Sequence, residues 1–75
     1  MENIEYKIIV ENVLDGIKLN LSEEKVNFIV NRLSVVNKMV ISANNGNESC
    51  HLRSTQVICK IIDDCLTQMN VSHFI

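Results

Sequence analysis

Between residues 21 and 44 the chain places Val26, Ile29, Leu33, Val36, Val40 and Ala43 at alternating steps of three and four. At about 100° per residue these six fall on one seam of an α-helix roughly five turns long, a period no strand produces. Val30 widens the seam on one edge. Phe28, Val35 and Met39 form a narrower apolar stripe on the opposite side, and Asn27, Asn31, Ser34, Lys38 and Ser42 fill a polar sector. A helix apolar on two sides belongs between other elements, so this one is expected to be central. Ser22 is placed to accept from a free amide of the first turn, and Glu23 and Glu24 suit the positive end of the helix dipole. Leu21 and Val26 have the spacing of a hydrophobic staple, and Asn44, Asn45 and Gly46 are residues on which a helix ends. The β-branched residues lower its intrinsic propensity, so packing must hold it.

The flanking segments read less sharply. Over residues 4–15 a helix puts Tyr6, Ile9, Val10, Val13, Leu14 and Ile17 on one face, with Glu2, Glu5, Lys7, Glu11 and Asp15 mostly off it and Gly16 as its stop. The alternative is a β-hairpin, with Ile4, Tyr6, Ile8 and Val10 alternating, Asp15-Gly16 as the turn, and Ile17, Leu19 and Leu21 alternating again. Adjacent Val13 and Leu14 break that alternation, which favours the helix, followed by an extended connection over 17–21. Residues 44–49 are a polar, turn-prone loop. A third helix is expected from Asn47 or Ser49 to about Met69 or Asn70, with Val57, Ile58, Ile61, Ile62, Cys65, Leu66 and Met69 as its stripe. Residues 71–75 form a short apolar tail. Two long helices joined by a short loop should fold back as an antiparallel hairpin, with the first element covering one stripe of the central helix and the third element part of the other.

At 75 residues the chain is one domain, a size at which a single core is barely sufficient. Its apolar positions outnumber what three helices of this length can cover. A homodimer burying the Val26, Ile29, Leu33, Val36 and Val40 seam is therefore expected. With 7 basic and 9 acidic residues the chain has no general attraction for nucleic acid or an anionic membrane. The start, with Glu2 and Glu5, lacks the basic region of a secretory signal, and no apolar run reaches the roughly 20 residues a membrane span needs. Three cysteines cannot all pair within one chain, so reduced thiols in a cytoplasmic protein without membrane attachment are the reading.

Chemistry is sparse. Cys50, His51, Cys59, Cys65 and His73 stand at none of the tight ligand spacings, and Cys59 and Cys65 differ by roughly 120° around a helix, so no metal is expected. A Cys50–His73 nucleophile would need an orienting third group and a pocket that a chain this short has little volume to build. No phosphate-binding glycine motif or catalytic carboxylate pair is present, so neither enzymatic activity nor a cofactor is expected. Nucleic-acid contacts could draw on Lys18, Lys25 and Arg32, or on His51, Arg53 and Lys60; with no interleaved aromatics, solvated surface is the simpler reading.

The residues Val13-Leu14-Asp15-Gly16, then Asn20-Leu21-Ser22, then a periodic helix reaching Arg32-Leu33, resemble the core pattern of the small enterobacterial biofilm and acid-resistance regulators of the AriR type, the two-component-system connector proteins. The N-terminal Ile4-x-Tyr6-x-Ile8 is similar too, so the resemblance covers about residues 4–35; the loop before the third helix is longer here. The resemblance implies an all-helical dimer without enzymatic activity, a regulatory role in biofilm formation or stress signalling through a phosphorelay, and DNA binding as a further property. The expected protein is thus a single all-α domain over residues 1–75, a three-element helical hairpin with a long central helix. It is expected to pair with itself and to bind another protein through Phe28, Val35 and Met39, the equal alternative being that this stripe packs against the chain's own first element. The alternatives are a DNA-binding transcriptional regulator using Lys25, Arg32, Arg53 and Lys60, and a phage- or plasmid-encoded inhibitor or secretion chaperone.

Overall fold

A computed structural model describes residues 3–73. Met1, Glu2, Phe74 and Ile75, and the side chains of Asn3 and Ile4, lie outside the described residues, so the end of the apolar tail and the Ile4 position of the hairpin alternation do too. The described residues are all-α: α1 (Asn3–Gly16), α2 (Glu23–Ala43), a single 3₁₀ turn (Glu48–Cys50) and α3 (Thr55–Gln68), with no strand among them.

α1 overturns the hairpin alternative. Tyr6, Val10 and Leu14, four apart, are the buried line, and Ile8, which a strand would have turned inward with Tyr6 and Val10, is 53% exposed. The helix ends at Gly16 as expected, but Gly16 is not the left-handed residue that closes it; that residue is Lys18 at φ 56°. Leu19 N–H donates to the Leu14 carbonyl at 2.9 Å and Lys18 N–H to that of Asp15 at 3.1 Å, a Schellman closure. α2 and α3 end the same way, with Asn45 (φ 62°) and Asn70 (φ 59°) left-handed. Gly46 N–H bonds the Ile41 carbonyl at 2.9 Å, and Val71 N–H bonds that of Leu66 at 3.0 Å.

α2 starts as its sequence indicates: the Ser22 hydroxyl accepts from Lys25 N–H at 3.4 Å. Its inner arc, Val26, Ile29, Val30, Leu33 and Asn37, is buried. α1 returns along it. Leu14, late in α1, lines a hollow with Val26, early in α2, while Tyr6 reaches Leu52, which Asn37 holds further along α2. α3 also runs back, since Ile58 lies near Tyr6 and Leu52 while Cys65 lies beside Arg32 and Val36. Both neighbours therefore sit on the inner side of α2, and the expectation that its two apolar stripes are divided between them is corrected.

The dimer seam is corrected over its first half for the same reason. Val26, Ile29 and Leu33 lie in the chain's own core with Tyr6, Val10, Ile58, Ile62 and Leu66; Val36 and Val40 are half-buried, and Ala43 is exposed. The third helix is corrected as well: residues 51–54 are extended and α3 starts only after Ser54, whose hydroxyl accepts from Val57 N–H at 3.4 Å. In a helix continuous from Ser49, Leu52 would stand roughly a quarter-turn off the Ile58, Ile62, Leu66 line. The break lets Leu52 drop into the core, and both of its backbone groups are met there. Its N–H donates to Asn37 Oδ1 at 2.8 Å and its carbonyl accepts from the Tyr6 hydroxyl at 3.0 Å. Val57, assigned to the α3 stripe by periodicity, is exposed.

Candidate functional site

The feature the fold leaves uncovered is the outer side of α2. Phe28, Val35 and Met39 are 40%, 52% and 64% exposed, on a line roughly 180–220° around the helix from Val26. Periodicity brought these three together and the structure keeps them together. Towards the end of the helix Val35, Lys38, Met39, Ser42 and Ala43 line a shallow open hollow. Arg32 lies over the Phe28 ring, 6.0 Å from its centroid, which shields one edge of the stripe and keeps the guanidinium at the surface.

Lys25, Arg32, Arg53 and Lys60, considered for DNA, are spread over α2, α3 and the connection between them. Lys25 and Arg32 share α2, two turns apart. Lys60, on α3, is 3.2 Å from Asp64, and Arg53 donates to the Ser49 carbonyl in the connection before α3. Of the groups weighed for metal or nucleophilic chemistry, Cys65 is buried and Cys50 and Cys59 half-buried. Burial pushes the Cys65 thiol up, Arg32 pulls it down and Asp64 pushes it up again, with burial the largest influence. His73 is engaged with neither Cys50 nor a metal cluster: Nδ1 is 2.7 Å from the Val71 carbonyl and Nε2 meets the Asp63 carboxylate. Among the described residues no three His, Cys, Asp or Glu come together as a metal site.

Sequence reasoning missed two arrangements. One is the buried Tyr6–Leu52–Asn37 junction, for which the available signal was an asparagine at a seam position of α2 between Leu33 and Val40. Burial first, and the neighbouring Glu5 second, raise the Tyr6 hydroxyl's pKa, so it stays a donor. The other is a groove between α1 and the start of α3, lined by Ile8, Ile9, Leu52 and Ile58 with His51 and Arg53 at its edge. Ile8 signalled it, standing off the Tyr6, Val10, Leu14 line.

No protein-family model, curated protein or solved structure matches the chain. Among the described residues no helix is long and apolar enough to cross a membrane.

Proposed function

We propose that the chain is a small non-enzymatic regulatory protein that acts in the cytoplasm by docking another protein on the outer side of α2. One observation carries the reading: three large apolar side chains, Phe28, Val35 and Met39, stand exposed in line on a helix whose opposite side is already buried by the chain's own elements. An aligned apolar strip bordered by polar groups is what a partner's desolvation requires, and single scattered exposed residues would not carry the argument. The resemblance over residues 4–35 supports placing this docking in a two-component phosphorelay that bears on biofilm formation or the stress response. A second copy of the chain is the competing occupant of the face. The reading as a DNA-binding regulator has less support, because Lys60 and Arg53 are engaged within the chain.

The test is capture from lysate with the native chain and with Met39→Glu, each checked for helicity and melting by circular dichroism. Met39 is more than half exposed, so the variant is expected to stay folded and to lose the captured protein. Identical capture by both folded proteins would remove the proposal.

A further inference from the structure

The exposed stripe of α2 is bordered by cations. At 100° per residue Lys25 and Arg32 run along one edge and Lys38 along the other, and all three are exposed. Of the two acids on the helix, Glu23 turns towards Lys7 of α1, 4.0 Å away, and Glu24 shares Lys38's edge at the N-terminal end of the face, which leaves three cations to one carboxylate there. Asp64 of α3 lines a crevice with Arg32 but is held by Lys60 at 3.2 Å. The basic border runs against a whole-chain charge of −2, so it is a local property of this face.

We infer that the outer face of α2 takes an amphipathic α-helix of a second protein whose apolar seam is flanked on both sides by Asp or Glu. The inference rests on the docking reading above. Phe28 and Val35 are seven residues apart, about 10.5 Å along the axis, with Met39 four further on; this is the spacing a helix laid alongside can match with its own i, i+7 and i+11 positions. The hollow of Val35, Lys38, Met39, Ser42 and Ala43 receives one bulky side chain, with the Lys38 ammonium at its rim to meet a carboxylate. Paired cations at such a rim select the partner and its orientation more than they add affinity.

Charge also argues against a second copy. Two copies meeting through this same face would gather six cations with only the two Glu24 carboxylates among them. On the chain's own α1, exposed Ile8 lines the groove towards α3 while Glu11 and Asp15 line the hollow beside Val26, so a contact of that helix with α2 of another copy would be head-to-tail and would not close.

Two synthetic helical peptides with an identical leucine seam, one flanked by Glu and one by Lys, test this by fluorescence anisotropy against the full chain. The Glu-flanked peptide is expected to bind about tenfold tighter at low ionic strength, with the preference shrinking as salt rises. Lys25→Glu with Lys38→Glu should reverse the preference, and Met39→Glu should abolish binding of both. Equal binding of the two peptides, or binding of neither, overturns the inference; the docking reading falls separately, by unchanged capture with Met39→Glu. Self-association in sedimentation that Met39→Glu removes would give the face to a second copy. Co-sedimentation with phosphatidylserine vesicles that the same variant removes would give it to a membrane surface, and either result overturns the inference.

Discussion

Both sides of α2 carry a line of apolar side chains, wider on the inner arc than on the outer stripe, and the two meet different fates. The inner arc is bordered by Ser34, half-buried Val36 and half-buried Ile41, and α1 and α3 close over it. The outer stripe is bordered by Lys25, Arg32 and Lys38 with Glu24, and among the described residues no element packs over it. Hydrophobic period says that a position is apolar, whereas the residues beside it say whether covering it would strand charges. An element of the same chain packed over Phe28 and Val35 would have to desolvate three cations beside a single α2 carboxylate, Glu24, a cost the inner arc does not impose.

The contrast is broken most directly by truncation on each side. Leu33→Ala, in a site with no exposure, should cost about 3 kcal/mol from lost transfer energy and the cavity left behind. Met39→Ala should change stability by no more than about 0.5 kcal/mol. Urea denaturation measures both, and a large loss on the outer side would mean that the stripe is part of the fold. Within the inner arc, Asn37→Ala should cost about 2 kcal/mol, because it leaves the buried Leu52 N–H without its acceptor. Tyr6→Phe, which removes only the donor to the Leu52 carbonyl, should cost about 1 kcal/mol. If Asn37→Ala is neutral, the connection before α3 is not pinned by this junction.

Much of this was legible before any coordinates. Ser22 as the start of α2, the Asn44-Asn45-Gly46 ending and the faces of α1 follow from local chemistry that acts within one or two turns. The two largest departures are long-range. Leu52 leaves a helical register because Tyr6, 46 residues earlier, and Asn37, 15 residues earlier, meet its backbone, and no local propensity encodes that. The Val26, Ile29 and Leu33 seam was assigned to a second chain because counting apolar residues does not reveal that two 14-residue helices can share one arc of a 21-residue helix. The outer stripe was legible as a stripe; its exposure required knowing where both neighbours sit.

The end of α1 gives a smaller and sharper test of what sets the covered side. Gly16 sits in the last helical turn with open space around its Cα, while Lys18, two residues on, holds the left-handed conformation that a glycine adopts without penalty. Lys18→Gly should therefore stabilise the chain by about 1 kcal/mol, and Asn45→Gly or Asn70→Gly by less, since asparagine tolerates that region. Thermal denaturation ranks the three. A destabilising Lys18→Gly would mean that the Lys18 side chain makes a contact worth more than its backbone strain.

The smallest effect expected is the most conditional, and it concerns how the covered side is finished at the C-terminal end. Past the left-handed Asn70 the chain turns back, Val71 packs on the core, and His73 offers one ring nitrogen to the Val71 carbonyl and the other to the Asp63 carboxylate. Both partners accept, so only the imidazolium can donate to both at once. The Val71 carbonyl, then the Asp63 carboxylate, raise the His73 pKa above its ordinary 6.5. A pKa higher in the folded state than in the unfolded chain means that this contribution is complete below pH 6.5 and fades as pH rises through the folded value. The His73 ring should accordingly titrate with a midpoint above 6.5 by NMR, and the Val71 and Ser72 amides should exchange faster above that midpoint than below it. Asp63→Asn should lower the midpoint and flatten the exchange difference, without changing the signals of Phe28 or Met39. A midpoint at or below 6.5 would show that the tail is not held by a charged ring, and the inner side of the molecule would then end at Val71 on packing alone.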